Sequence, residues 1–391
     1  MTTTINNEHK KLNVPNLRFP EFQGEWEEHY LSDYLDFKNG LNPKPDKFGK
    51  GIKFISVMDI LNNAIITNDC IRASVDVSEE ELQNFSVENG DMLFQRSSET
   101  LEDVGRANVY MDDKPAVFGG FVIRGKKKAE YNPLFFRYLL ASPFARKKII
   151  PMGAGAQHFN IGQEGLSKVK LNFASLGEQN KIAKLMLAID ERISTQNKII
   201  EDLKKLKSAI SKKLLCNDKW TTYKIQDIAE IGRGRVISSV EIDRQKHPLY
   251  PVYSSQTSND GIMGYLDEYM FDGEYITWTT DGANAGTVFY RKGMFNCTNV
   301  CGTLKILPKF DCYFVSLVLQ QATQKYVSSN LANPKLMNNT MASIKIKMPD
   351  IETQKQLSKI FQTLDSCLLV HQRTCCMYSR EKQSLLRQMF I

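Results

Sequence analysis

The sequence predicts an α+β chain made of two copies of one unit, each a mixed α/β domain followed by a long helix. Three observations carry this. Segments recur in the same order at offsets between 175 and 194 residues, short β-like runs broken by Gly, Asn and Asp precede each helical stretch, and two stretches carry a heptad-like apolar seam.

The recurrences are specific. Trp26 to Gly40 resembles Trp220 to Gly234 at an offset of 194, with Trp26/Trp220, Asp33/Asp227 and Gly40/Gly234 identical. Asn89 to Leu93 resembles Asp272 to Ile276 at 183, and Tyr131 to Leu140 resembles Phe310 to Leu319 at 179. Leu166 to Ile193 pairs without a gap with Met341 to Leu368 at 175. The offset changes only between matched elements, so the length differences belong to loops, where homologous domains diverge.

In each copy the β-like runs come first: Ile52 to Val57, Met92 to Gln95 and Ala116 to Ile123, then Tyr275 to Thr279, Thr287 to Tyr290 and Gly302 to Leu307. A short helix is expected at 133 to 148 and at 312 to 326. The long helix of the first copy is expected over about Gly177 to Leu215, with a seam at Ile182, Leu185, Ile189, Ile193, Ile200, Leu203, Ile210 and Leu214. In the second copy the seam is Leu357, Ile360, Leu364, Leu368, Cys375, Tyr378, Leu385 and Met389, shifted by 175. Spacings of three and four with one extra four describe a heptad pattern with one stutter, built to bury a stripe against another helix. Gln196 with Lys207, and His371 with Lys382, interrupt it at equivalent places and are candidates for setting helix register. The expected divisions are a flexible segment at 1–19, a first domain at 20–175, a helix at 176–217, a second domain at 218–350 and a helix at 351–391.

Composition sets limits. The 391 residues are 42% hydrophobic and 24% charged, enough for two cores, and no run approaches the roughly 20 apolar residues that span a bilayer. A polar opening and eight cysteines without paired spacing place the chain in the cytoplasm with reduced thiols. Cys297, Cys301 and Cys312 lack the paired spacing of a structural zinc site, so no metal is expected. A net charge of +7 suits a polyanionic partner without requiring one.

The sequence carries no recognisable catalytic motif. No GxGxxG opens a helix after a strand, and no P-loop is present. Asn132-Pro133-Leu134-Phe135 approaches an amino-methyltransferase box, but its partner in the second copy is Asp311-Cys312-Tyr313-Phe314. What both share is Asn or Asp ahead of a helix, which is N-cap chemistry, with Pro133 at the first helical position. The acidic run Asp350 to Lys355 lacks the Glu-x-Lys spacing of a metal-dependent nuclease.

Taken together, the opening Val14 to Phe22 with Trp26, the Trp and Leu/Ile-x-Asp pattern repeated from Trp220, and two helices each entered through Glu178-Gln179 or Thr353-Gln354 resemble the specificity subunits of type I restriction-modification enzymes. The resemblance covers essentially the whole chain. It implies that each α/β region is a target-recognition domain reading one half of a bipartite double-stranded DNA target, and that the helices pack antiparallel as a coiled-coil-like spacer that docks two modification subunits. Restriction subunits join the expected complex. S-adenosylmethionine, ATP and Mg are expected on partner subunits, with no cofactor on this chain. A 39-residue helix is about 58 Å long against about 34 Å for a turn of B-DNA, so the dimensions suit half-sites about one turn apart.

Candidate DNA contacts are polar or aromatic residues on loops. In the first copy they are Arg96, Ser97, Ser98, Arg106, Gln157 and His158, with Lys44, Lys47 and Lys50 toward phosphate. In the second they are Arg233, Arg235, Ser254, Ser255, Gln256, Trp278, Thr279, Thr280, Asn284, Asn333 and Lys335. Ser and Thr side chains at such places also satisfy turns. The competing reading is a repeat scaffold whose helices carry all function without DNA readout.

Overall fold

A computed structural model describes residues 13–215, 217–256, 258–328 and 333–391. Met1 to Leu12, most of the polar opening, and Cys216 lie outside them. Two compact units result: one joins the chain up to Asn197 with Arg373–Ile391, and the other spans Lys198–Gln372.

The same sheet is built twice. In the first unit the strand order is Leu35–Asn39, Val122–Lys127, Met92–Gln95, Ala107–Val109, with antiparallel neighbours throughout. The second unit repeats it as Ala229–Arg233, Cys301–Ile306, Glu274–Thr279, Val288–Lys292. Each unit adds a second sheet, four-stranded in the first and three-stranded in the second, containing one parallel pair, Phe48–Ile55 with Ala116–Phe118 and Tyr250–Tyr253 with Asn296–Cys297. A two-stranded ladder leads into each long helix, Glu27–Tyr30 with Lys170–Phe173 and Thr221–Lys224 with Lys345–Met348.

The residues identical between copies have physical reasons. A Cβ on Gly40 would lie 2.1 Å from the Gly119 carbonyl oxygen, and one on Gly234 2.1 Å from that of Cys297, so both strands approach a neighbouring backbone that only glycine permits. Trp26 meets Phe135 edge-on at 5.9 Å and Trp220 meets Phe314 at 5.8 Å. The Asn132 carboxamide caps Phe135 N–H at 2.9 Å and the Asp311 carboxylate caps Phe314 N–H at 2.7 Å. The Asn-Pro-Leu-Phe stretch is therefore a helix start. Gln179 and Gln354, both buried, accept from the Asn132 and Asp311 backbone N–H at 3.0 Å each and donate to the carbonyls of Ala174 at 2.9 Å and Pro349 at 2.8 Å. Each amide thus clasps the short helix of a domain to the start of its long helix.

Several expectations need correction. The run expected over 116 to 123 is two strands in different sheets, Ala116–Phe118 and Val122–Lys127, separated by a tight turn in which Val122 N–H donates to Gly119 at 2.8 Å. The helix expected over 133 to 148 is two, Pro133–Ala141 and Pro143–Ile149, because a proline drives the preceding Ser142 into the extended region. Residues 13 to 19, expected to be flexible, are anchored. Arg18 makes a bidentate pair with the buried Glu178, both contacts at 2.8 Å, and Leu17 N–H donates to Gln388 at 2.9 Å.

The long helices are Leu176–Leu214 and Ile351–Gln388. In the first unit Ile182 and Ile189 are buried, and Ile182 and Leu185 join Leu385 and Met389 in or against one core. Asp190, Arg192 and Asn197 meet Lys382, Tyr378 and Cys375 in that order, so these segments run antiparallel. Ile193, Leu203, Leu214, Leu368 and Tyr378 are half-buried, and Ile200 is buried. In the second unit Ile210, Leu357 and Leu364 pack against the core, and Lys207 pairs with Asp365. Ile360 is 44% exposed and leaves the seam. Phe361 is buried instead, as is its counterpart Met186, because this turn packs against its own α/β domain and its buried face rotates accordingly.

Candidate nucleic-acid interface

In the first unit the fold gathers clusters that are far apart in sequence. Ser97–Ser98 pairs as a short strand with Phe159–Asn160, and the Ser97 hydroxyl donates to the Asn160 side chain, so Arg96 to Ser98 and the exposed Gln157 and His158 belong to one surface. Arg96 N–H donates to Phe121 at 2.8 Å while its guanidinium donates to the Gly120 carbonyl at 3.2 Å, tying the loop to the turn at 119 to 122. The 43 to 48 loop borders the same turn: Pro43, Phe48, Ser97, Gly120 and Phe121 line one cleft. Lys44 in that loop is exposed, whereas Lys47 and Lys50 form ion pairs with Glu81 at 3.7 Å and Asp76 at 3.4 Å. Arg106 is exposed and paired with Asp103 at 2.6 Å. Ser98 is buried, its hydroxyl accepting from Thr100 N–H at 3.2 Å, and is withdrawn as a contact.

The second unit places a different chemistry on the equivalent turn. Thr280 N–H donates to Val300 at 2.9 Å as Arg96 N–H does to Phe121, and Cys301 N–H closes onto Thr298 at 3.0 Å as Val122 does onto Gly119. The arginine here is Arg233, whose guanidinium reaches the Asn299 carbonyl at 2.5 Å, the Thr280 hydroxyl at 2.9 Å and Asp281 at 3.1 Å. Lys335 lies 3.5 Å from the other Asp281 oxygen, so one carboxylate gathers two cations. Asn284 donates to the Ser255 carbonyl at 3.2 Å, Gln256 donates to Ile262, and Ser254 accepts from Gln256 N–H at 3.4 Å. Asn333 is exposed near Gly282. Arg235 is exposed and held by Glu241, whose carboxyl that hydrogen bond lowers below the usual range.

Trp278, Thr279 and Thr280 are withdrawn as direct contacts, since all three are buried. Trp278 donates its indole N–H to the Leu336 carbonyl at 2.9 Å and fills the space over Gly302. The reason is that residues 276 to 279 lie inside a strand buried on both faces, as residues 92 to 95 do. Met92 pairs with Gly125 and Ile276 with Leu304, so Met92 corresponds to Ile276 at 184 rather than to Tyr275 at 183. Arg96 thereby corresponds to Thr280, and Trp278 to the core residue Phe94. The sequence reading also missed Asp281 and the turn itself, for which the Gly119-Gly120 pair was the available signal.

Cys297, Cys301 and Cys312 are buried, and burial pushes Cys301 up to about 11 and Cys312 up to about 12, which keeps these thiols protonated. Among the described residues no group of three or more His, Cys, Asp or Glu is arranged to hold a metal, and no helix is long and apolar enough to cross a membrane.

The chain matches the model of the type I restriction modification DNA specificity domain twice, over residues 23–205 and 217–374. It is 46% identical over 147 residues to the N-terminus of a putative type I specificity subunit of Mycoplasma pneumoniae, covering 36% of this chain and 76% of that one. A second putative type I specificity subunit of the same organism is 37% identical over 198 residues, covering 50% and 82%. The crystal structure of a type I restriction-modification system S subunit from M. genitalium superposes with a TM-score of 0.69 at 17% identity, over 97% of this chain and 99% of that one, which shows the shared fold. By these two matched domains, the chain belongs to the family of type I restriction-modification DNA specificity subunits.

Proposed function

We propose that this chain reads an asymmetric, bipartite sequence in double-stranded DNA and directs partner subunits that carry out the chemistry. The observation that carries this reading is the turn at 119 to 122 and its counterpart at 298 to 301. One backbone frame, braced by an arginine in each copy, offers Arg96, Ser97 and Phe121 in one unit and Arg233, Asn299 and Lys335 in the other. Equal frames with unequal surfaces suit two half-sites of different sequence.

The chain itself transfers no methyl group and cuts no DNA on this reading. Two modification subunits dock on it, one per repeat, and restriction subunits join them. S-adenosylmethionine, ATP and Mg belong to those partners. Lys44, Arg106, Gln157, His158, Arg235, Ser254, Ser255, Gln256, Asn284 and Asn333 contribute surrounding contacts, while Lys47 and Lys50 reach phosphate only after leaving their carboxylates. The scaffold reading gains no support from the family match.

The test is methylation sequencing of host genomes with and without the gene, beside salt-dependent binding of the purified complex. A split methylated motif that disappears with the gene, and affinity that falls steeply with salt, is the expected result. An unchanged methylation pattern would refute the reading.

A further inference from the structure

The turn that both units share carries an exposed aromatic ring in one of them. Phe121 is 68% exposed, although its backbone is fixed: its carbonyl accepts from Arg96 N–H at 2.8 Å, and the residues before it are clamped. A Cβ on Gly119 would lie 2.6 Å from the Phe54 ring, and one on Gly120 1.9 Å from the Asn42 side chain. The ring therefore stands out on a rigid turn. It forms one wall of a cleft of about 440 Å³ together with Leu41, Pro43, Phe48, Phe54 and Met58, of which Phe48 is 42% and Met58 60% exposed. Apolar surface clustered this way marks a binding site rather than a scattered exposed residue.

The lining selects the occupant. No acidic side chain is among the residues that line the cleft, Ser97 and Asn42 supply its polar edge, and the neighbouring loop carries both the exposed Lys44 and the exposed Asp46. Apolar walls with no lining carboxylate, on the turn that also holds Arg96, suit the flat face of a base. The equivalent turn of the second unit presents the exposed Asn299 and the half-buried Val300, with no ring.

We propose that Phe121 is a base-stacking residue that inserts against one base step of the half-site read by the first unit. The proposal rests on the reading of this chain as a DNA reader and adds a contact within it. A wedge favours steps that unstack readily, so Phe121 reads deformability where Arg96 reads base edges. The second unit works without such a wedge.

The test uses the chain with its modification subunit and duplexes bearing the motif that methylation sequencing gives for the wild type. 2-Aminopurine is substituted at successive positions of both half-sites. The wild type should raise fluorescence at one step of one half-site only. Phe121→Ala should abolish that signal and weaken binding about tenfold or more, with Phe121→Trp retaining both. Circular dichroism and thermal melting should leave Phe121→Ala unchanged, and Phe121→Leu serves as a second variant if they do not. Wild-type fluorescence and affinity in Phe121→Ala would overturn the inference while leaving the DNA reading intact. Loss of co-purification with the modification subunit from Phe121→Ala would overturn it differently, by making the cleft a protein-docking site. A wild-type complex that binds no duplex would remove the reading and the inference together.

Discussion

Asp190 accepts the ammonium of Lys382 at 2.5 Å and the Tyr138 hydroxyl at 2.8 Å, joining the long helices to each other and to the α/β domain of the first unit. The second unit contains the same triad with its members exchanged. Asp365 receives Lys207 and Tyr313; the aspartate and the lysine stand 175 positions from their counterparts, while Tyr313 lies one helical turn nearer the start of its short helix than Tyr138 does. The aspartate and the lysine swap helices between units, which is how a repeat satisfies two equivalent joints. Burial, and then the neighbouring carboxylate, raise both tyrosine hydroxyls, so they remain donors.

Exposure decides how much each joint contributes. The Asp190 and Lys382 side chains are 12% and 21% exposed, against 40% and 25% for Asp365 and Lys207. Asp190→Asn should therefore cost about 1–3 kcal/mol, and Asp365→Asn about 1 kcal/mol or less. Urea unfolding of both variants checks the order. A double-mutant cycle with Lys382→Met isolates the Asp190 pair, and additive effects in it would show that the two residues do not interact.

The buried glutamines make a second prediction. Gln179→Ala and Gln354→Ala each leave an N–H and a carbonyl without their amide partner at the junction of domain and helix. Each should lower stability by about 1–3 kcal/mol. Denaturant midpoints measure the loss, and amide exchange at Phe135 and Phe314 reports whether the short helices loosen at their starts.

Residue patterning explains which features could be read in advance. The two copies, the caps at Asn132 and Asp311 and the long helices rest on local chemistry and periodicity, which a single sequence displays. Lys207 and Lys382 are legible as polar interruptions of the seam, whereas their carboxylate partners Asp365 and Asp190 depend on how the helices pair. The site was less legible because strand register depends on neighbours distant in the chain. Trp278 reads as the first residue of a loop after the strand, yet it lies inside the strand Glu274–Thr279, buried over Gly302 across the sheet. Phe121 escaped notice for the opposite reason, since phenylalanine in a short apolar run reads as core until the turn at Gly119 places it outside.

Trp278 supplies the third prediction, and it separates folding from reading. Trp278→Ala empties the space over Gly302 and leaves the Leu336 carbonyl without its donor. It should cost about 3–5 kcal/mol. In complexes that remain folded at low temperature, base preference should be unchanged. Stability from thermal melting beside the methylated motif checks both halves, and an altered motif without lost stability would return Trp278 to the DNA surface.

The last prediction concerns the two arginines. Arg96, between two strands, and Arg233, at a strand end, occupy non-equivalent positions, yet each guanidinium donates to the equivalent turn carbonyl, Gly120 or Asn299. Bracing the turn uses only part of each guanidinium. Among the described residues no carboxylate pairs with Arg96, whereas Arg233 is also engaged by Thr280 and Asp281. Arg96 is thus better placed for a two-hydrogen-bond contact with guanine, worth about 1–3 kcal/mol of discrimination. Arg96→Ala should relax preference in one half of the target and spare the other. Arg233→Ala should act on the opposite half and also lower stability, because it leaves Asp281 with only Lys335 and the Thr280 hydroxyl. Arg233→Lys keeps the charge but loses the forked geometry, so it should recover part of the stability and less of the reading. Genome-wide methylation in cells carrying each variant with the modification subunit measures the preference. Changed preference in both halves from a single arginine would contradict one reader per unit, since each side chain lies wholly within its own unit.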